Sequence, residues 1–229
     1  GDGWSSVSLP TSLPGNDISA LALRGDKVAV GSFDHGVAII EKGEIQKISA
    51  RMDPHVNALA WDAVDGSLWI ATSTGLVHWK KGRATRFSKS EGLPSRHVMS
   101  LDALPTGGVL VGTAAGAATV VDGSVVALGG KGGLGTGNVW AVAHGPDGSH
   151  WLGTTRGLWR LRGDRIDRFR LASGHLPEDW VMAVEATATG VFVGTYKSGV
   201  IRFDVDGNEV DTRALGPGWV NPGGLHWDG

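Results

Sequence analysis

Six polar or aromatic residues recur at one position of a repeating pattern, each directly before an alternating strand. They are Asp17, His55, His97, Asn138, Trp180 and Trp219. Carboxylate, imidazole and amide groups fix the orientation of a bound ligand, and an indole ring stacks on the face of a sugar or of a peptide side chain. This combination predicts recognition of a small carbohydrate-like ligand or a peptide.

These residues stand at the starts of repeats of about 40 residues. The residue pairs that end the second strand of each repeat are Gly31-Ser32, Ala71-Thr72, Gly112-Thr113, Gly153-Thr154 and Gly194-Thr195. Successive pairs lie 40 or 41 residues apart, and each period holds four short strand patterns separated by turns. Such a period predicts an all-β fold, a β-propeller with four-stranded antiparallel blades. We name the strands of a blade A to D, from the central channel outward.

The period divides a single predicted domain, residues 1–229, into blades. Five complete blades are predicted at 18–55, 56–97, 98–138, 139–180 and 181–219. Strand B is apolar on both faces, which predicts that Trp69 and Trp151 are buried between neighbouring blades. The Thr residues that end strand B are expected to bond the backbone of the next turn. Asp65-Gly66 and Asp147-Gly148 are predicted to form type I′ turns.

The two ends of the chain predict a sixth blade that they share. Residues 1–17 fit a strand D and residues 220–229 fit a strand A, so joining the ends would close a six-bladed ring without an open sheet edge. The B–C hairpin of this blade is absent from the sequence. Either the sequence is truncated, or another segment or chain supplies the two strands by β-augmentation. A third interpretation is an array that continues into a larger ring.

Composition excludes several classes of partner. Lys and Arg number 21 against 23 Asp and Glu, so the surface has no basic excess for nucleic acid. No run of 18 apolar residues is present, which predicts no membrane span. The absence of Cys excludes disulfides, thiol nucleophiles and cysteine-ligated metals.

Several segments resemble two-component regulator propeller repeats. The shared elements are Leu93-Pro94, Leu176-Pro177 and Leu13-Pro14, then Leu68-Trp69-Ile70-Ala71-Thr72 and His150-Trp151-Leu152-Gly153-Thr154, then Gly75-Leu76 and Gly157-Leu158. The third blade departs most, because a Gly-rich loop at 129–137 replaces the Leu-Pro element. The resemblance implies a bacterial ligand-sensing or protein-interaction domain that is periplasmic or secreted.

A propeller offers a binding site at the mouth of its channel, on the face built by the D–A and B–C loops. The B–C turns add five candidate residues to the six before strand A: Asp34, His35, Arg156, Tyr196 and Lys197. The alternative for Trp180 and Trp219 is structural, since each follows a proline, Pro177 or Pro217, on which it would pack to seal its loop.

A catalytic interpretation requires a nucleophile, a base and an electrostatic stabiliser within reach of one another. Asp17, His55, His97 and Arg156 form the best such set, which leaves a channel-mouth lyase or hydrolase as an alternative. No nucleophile elbow, phosphate-binding loop or metal motif is present. We therefore predict a non-catalytic protein without cofactor or metal.

A second alternative is an assembly scaffold that another segment or chain completes at the split blade.

Overall fold

The computed structural model describes Gly15 and residues 17–49, 51–129, 133–211, 218–222 and 224–225. Within these residues, 20 strands form five antiparallel sheets, each of four strands that follow one another along the chain. The predicted all-β class and four-stranded blades are confirmed. Of the predicted strand D at 1–17, all but Gly15 and Asp17 lies outside the described residues, as does half of the predicted strand A at 220–229.

Each sheet is one blade, and its strands run in the order A to D. Blade 1 contains β1 (Ile18–Arg24), β2 (Lys27–Ser32), β3 (Val37–Glu41) and β4 (Glu44–Lys47). Blade 2 contains β5 (Val56–Trp61), β6 (Leu68–Thr72), β7 (Gly75–Lys80) and β8 (Arg83–Phe87). Blade 3 contains β9 (Val98–Ala103), β10 (Val109–Thr113), β11 (Gly116–Val121) and β12 (Ser124–Ala127).

The last two complete blades repeat the arrangement. Blade 4 contains β13 (Val139–His144), β14 (His150–Thr154), β15 (Gly157–Arg162) and β16 (Arg165–Phe169). Blade 5 contains β17 (Val181–Thr187), β18 (Gly190–Thr195), β19 (Val200–Phe203) and β20 (Glu209–Asp211).

The hydrophobic core consists of layers between successive blades. Four clusters of buried side chains lie between blades 1 and 2, 2 and 3, 3 and 4, and 4 and 5. Every residue of β6 and β10 is buried, and Trp69 and Trp151 are only 2% and 1% exposed. The predicted burial of strand B is confirmed for β6, β10 and β14, which contribute side chains to both of their neighbouring layers.

A small residue near the end of strand B lets the next blade approach closely. A Cβ atom added to Gly31 would lie 2.5 Å from Cγ1 of Val56, and one added to Gly153 would lie 2.7 Å from Cγ1 of Val181. Such distances are shorter than van der Waals contact. The first valine of each following strand A thus fills the space that a side chain on strand B would occupy.

The threonines that end strand B close the B–C turn. The hydroxyls of Thr72, Thr113, Thr154 and Thr195 donate to the carbonyls of Gly75, Gly116, Gly157 and Gly199 over 2.7 to 2.9 Å. Thr154 also accepts from the Arg156 N–H at 2.9 Å. The predicted structural role of these hydroxyls is confirmed.

The prediction of type I′ turns at Asp65-Gly66 and Asp147-Gly148 is wrong. Only the glycines have positive φ, 68° and 79°, whereas a type I′ turn needs it at both central residues. Asp65 instead accepts hydrogen bonds from the N–H and the hydroxyl of Ser67, at 2.8 and 2.5 Å. An aspartate that bonds the backbone two residues onward stabilises a different turn without leaving the ordinary φ region.

A buried arginine links blades 4 and 5. The guanidinium of Arg160 donates to Oδ2 of Asp147 at 2.7 Å and to the carbonyl of Val205 at 2.8 Å. Burial raises the pKa of Asp147, but hydrogen bonds from Ser149 and Arg160 outweigh it and lower the pKa to about 2. The pair therefore stays charged down to acidic pH.

We expect Asp147→Asn to lower the free energy of unfolding by about 1–3 kcal/mol at neutral pH, because Arg160 loses its charged acceptor. The folded pKa of Asp147 lies below its ordinary value of 3.8, so the carboxylate stabilises the fold above that value and this contribution is lost as the pH falls toward 2. The stability difference between wild type and variant, measured by urea unfolding, should shrink over that window. Asp167→Asn, which breaks a pair with the exposed Arg165, is the control and should cost less than about 1 kcal/mol. A gap for Asp147→Asn that is independent of pH would contradict this account.

Candidate ligand-binding face

The D–A and B–C loops lie together on one face, which we call the loop face. The carbonyl of the residue before strand A accepts a hydrogen bond from the N–H of the residue that follows strand B. The pairs are Phe33 to Asp17 at 2.9 Å, Ser73 to His55 at 3.2 Å, Ala114 to His97 at 3.0 Å and Tyr196 to Trp180 at 2.9 Å. Four of the six positions aligned from the sequence are therefore equivalent in the backbone as well.

Three aromatic residues, Trp180, Tyr196 and Trp219, are in ring contact on the loop face, and we call them the aromatic platform. The rings of Trp180 and Tyr196 are stacked with their centroids 4.4 Å apart, and Trp219 lies 4.8 Å from Tyr196. Trp180 is 39% exposed and Trp219 is 70% exposed. Two tryptophan rings this open to solvent, both in contact with the half-buried Tyr196, are a surface on which a ring-shaped or apolar ligand group can lie.

Acidic side chains hold the loops of the platform in place. Oε2 of Glu178 accepts from the Lys197 N–H at 2.8 Å and from the Ser198 hydroxyl at 2.9 Å, which ties the D–A loop to the B–C turn of blade 5. Oδ1 of Asp179 accepts from the Leu171 N–H at 2.7 Å. The ammonium of Lys197 lies 5.8 Å from the centroid of Tyr196. The platform is thus backed by a bonded loop pair, with one cation beside it.

A second group of predicted residues lies around blades 1 and 2. His35 Nδ1 contacts Oδ1 of Asp34, and this hydrogen bond is the main reason that the pKa of Asp34 lies below its usual value. His55 Nδ1 lies 2.9 Å from Oδ1 of Asp53, and its ring meets the edge of exposed Phe33 with centroids 5.8 Å apart. These groups are exposed and partnered locally.

Asp17 joins the second group through its carbonyl, which accepts from the Phe33 N–H at 2.9 Å, whereas the other three predicted residues share no hydrogen bond with either group in the described part of the chain. His97 and Arg156 are exposed, and Nη1 of Arg156 donates to the carbonyl of Gly135 at 3.3 Å. Asn138 is half-buried. In the described part of the chain, no hydrogen bond or ion pair joins any two of the four residues proposed for catalysis, Asp17, His55, His97 and Arg156. No group of three His, Cys, Asp or Glu side chains suited to a metal occurs in the same part.

A large cavity lies at the channel rather than at the mouth residues. It has a volume of about 1050 Å³ and is lined mainly by the strand A residues of all five blades. Its polar lining includes Asp102, Trp140, His144 and Glu185. None of these four residues is among the candidate site residues taken from the sequence. A signal was present: the same strand A position is Ala22, Ala60 and Ala143 in blades 1, 2 and 4, but Asp102 and Glu185 in blades 3 and 5.

Comparison with known proteins supports the fold. The extracellular domain of the two-component-type protein BT4673 from B. thetaiotaomicron superposes with a TM-score of 0.61 at 15% identity, covering 78% of this chain and 26% of the other. That of BT3049 from the same organism gives 0.63 at 14% identity, covering 90% and 35%. The WD40 β-propeller domain of Doa1 gives 0.71 at 16% identity, covering 95% and 76%.

These likenesses show the β-propeller fold. The chain spans only about a quarter to a third of the two B. thetaiotaomicron chains. No protein-family model and no curated protein sequence matches it, so membership of the two-component regulator propeller family stays a prediction. Among the described residues, no helix has the length and apolar character needed to cross a membrane.

The bonds of Glu178 generate a local prediction. Glu178→Ala should speed hydrogen exchange of the Lys197 amide several-fold, because this N–H loses its acceptor. The neighbouring Ser198 amide, which donates to the Thr195 hydroxyl at 3.0 Å, should keep more of its protection and serves as an internal reference. Exchange followed by NMR measures both. An unchanged Lys197 rate would show that the carboxylate does not hold this turn in solution.

Proposed function

We propose that the protein is a non-catalytic recognition module that binds a small carbohydrate-like ligand or a peptide on its loop face. One observation carries the proposal: Trp180 and Trp219 are open to solvent, and both rings contact Tyr196, which lies between them. Burying such rings contributes apolar area and stacking, and their stiff side chains lose little entropy on binding. The hydrogen-bonded loops beneath the platform keep it organised before the ligand arrives.

The site we propose is smaller than the set of eleven residues taken from the sequence. Trp180, Tyr196, Trp219 and Lys197 supply the stacking surface and a cation. Asp34, His35 and His55 form a separate polar group, which would meet only a ligand long enough to cross the face. Among the described residues, no hydrogen bond or ring contact joins the platform to the other four predicted residues, His97, Asn138, Arg156 and Asp17. We propose no catalysis at this mouth, because within the described residues no hydrogen bond or ion pair joins any two of the candidate catalytic groups.

We further propose an extracytoplasmic setting and a sensing role. The support is the sequence resemblance to two-component regulator propeller repeats, together with the shared fold of the B. thetaiotaomicron extracellular domains.

A second candidate function is an assembly scaffold with a six-bladed ring. Two observations favour it. Gly199 N–H donates to the carbonyl of Gly218 at 3.1 Å, as Gly36 does to Pro54 at 3.0 Å, so Val220 stands where a further strand A would begin. On β1, Leu21 and Leu23 are 58% and 73% exposed, which leaves an apolar face at the end of the described array. A further blade between blades 5 and 1, completed by added strands, would cover that face.

Trp219→Ala tests the recognition proposal. We expect binding of the best ligand from a panel of neutral oligosaccharides, acidic oligosaccharides and peptides, measured by calorimetry, to weaken about tenfold, through loss of stacking. The melting temperature should change little, because Trp219 is 70% exposed. Trp180→Ala should have a similar or larger effect on affinity.

Phe33→Ala is the matched control. Phe33 is also an aromatic residue of the loop face and is 61% exposed, but it lies in blade 1, away from the platform. This variant should bind as the wild type does. If both tryptophan variants kept full affinity while Phe33→Ala lost it, the platform would not be the site.

A further inference from the structure

Blade 4 differs from the other four blades at one cross-strand pair beside the channel. His144 of β13 lies opposite His150 of β14. The equivalent pairs of the other blades are apolar: Leu23 and Val28, Trp61 and Leu68, Ala103 and Val109, and Ala186 and Val191. Because apolar side chains satisfy the packing at this position, packing alone does not account for two imidazoles that face each other in a single blade.

The two imidazole rings approach each other through the same nitrogen. Nδ1 of His144 lies 3.2 Å from Nδ1 of His150, and the ring centroids are 5.2 Å apart. A metal ion bound tetrahedrally by both Nδ1 atoms, with bonds of about 2.0–2.1 Å, would place the nitrogens about 3.3 Å and the centroids about 5.2 Å apart. The pair therefore already has the spacing of two ligands of one metal ion.

The protonation state of the pair is compatible with metal binding. At 3.2 Å one Nδ1 donates a hydrogen bond to the other, so at least one of the two nitrogens carries a lone pair. Burial and, to a lesser degree, the proximity of His144 lower the pKa of His150, which keeps this ring neutral at neutral pH. A metal ion would replace the shared hydrogen, which moves to Nε2 of the ring that carried it, so no net proton is lost.

The surroundings hold the pair in place and leave it accessible. The backbone N–H of His144 donates to Oδ2 of Asp102 at 2.6 Å, which ties the end of β13 to blade 3. Burial raises the pKa of Asp102, and this carboxyl is not one of the ligands. Both histidines are half-buried and His144 lines the central cavity, so an ion can reach the pair and water can complete its coordination.

We propose that His144 and His150 form a binding site for Zn²⁺ or a similar borderline divalent metal ion. Neutral imidazole is a preferred ligand of Zn²⁺, whereas Mg²⁺ and Ca²⁺ prefer oxygen ligands. Because the protein supplies two ligands rather than the three or four of a tight zinc centre, the ion exchanges readily and keeps positions for water or for a donor atom of a molecule in the cavity. The site lies outside the loop face and does not depend on the function proposed there.

Calorimetric titration of the untagged protein with Zn²⁺ tests the proposal. We expect saturable binding of Zn²⁺, and we expect Mg²⁺ at the same concentration neither to bind at this site nor to displace Zn²⁺. The ring signals of His144 and His150 in NMR spectra should shift as Zn²⁺ is added. Absence of saturable Zn²⁺ binding at about 1 mM would overturn the proposal, as would shifts confined to other histidines.

Variants that introduce the residues of other blades locate the site. His144→Ala introduces the residue of blades 3 and 5, and His150→Leu that of blade 2, so the strands should be preserved, which circular dichroism checks. Each change should weaken Zn²⁺ binding at least about tenfold. His175→Ala, which removes an exposed histidine of the D–A loop, is the control and should bind as wild type. Trp219→Ala should also leave Zn²⁺ binding unchanged, so failure of this site is distinguishable from failure at the platform. Wild-type affinity in a folded variant of either His144 or His150 would contradict the assignment.

Discussion

The close approach of successive blades at a small residue of strand B is the contact on which the array depends. Gly31 and Val56, and equally Gly194 and Val220, are so near that no side chain fits on the glycine. Ala71 is the largest residue found at this position of the five blades, and it packs in one cluster with Val98. Because each contact joins one blade to the next, the same residue pair sets the spacing between blades along the whole chain.

This constraint separates the residues that build the fold from those free to vary. The side chains of strand B and of the first residue of strand A pack in the layers between blades. The hydroxyl of the Thr that ends strand B donates to a carbonyl of the B–C turn. The residue before strand A contributes only its carbonyl to the array, which leaves its side chain available. Trp180 and His55 both stand at this position, one in a stacked platform and the other in a polar group.

The periodic part of the fold could be predicted from the sequence, because each blade repeats the same contacts with the same residue types. Burial of Trp69 and closure of the turn by Thr72 followed from position in the repeat. The turn at Asp65-Gly66 could not be predicted from its dipeptide, since the bonds from Ser67 to the Asp65 carboxylate select another conformation.

The sequence could predict on which face the candidate residues lie, but not which of them are in contact with one another. Alignment placed Trp180 and Trp219 on one face, but a linear sequence does not show that Tyr196 would stand between them. The sequence did not predict the acids of the channel, Asp102 and Glu185, for a related reason. Asp102 replaces the alanine that blades 1, 2 and 4 have at this position of strand A, and the alternating pattern assigns the position to the core. Its pairing with Leu110 of β10 and the lining of the cavity show that it lies at the channel.

The central claim is that the aromatic platform of the loop face is the recognition surface. Indole N–H signals in a two-dimensional NMR titration test it directly, because the Trp residues that the structure describes lie in different places: Trp69 and Trp151 in the core, Trp140 at the channel, and Trp180 and Trp219 on the platform. On addition of the best-binding oligosaccharide or peptide, the account predicts shifts of the Trp180 and Trp219 signals, while those of buried Trp69 and Trp151 stay in place. Shifts confined to Trp140 or to the buried indoles, with Trp180 and Trp219 unmoved, would contradict it.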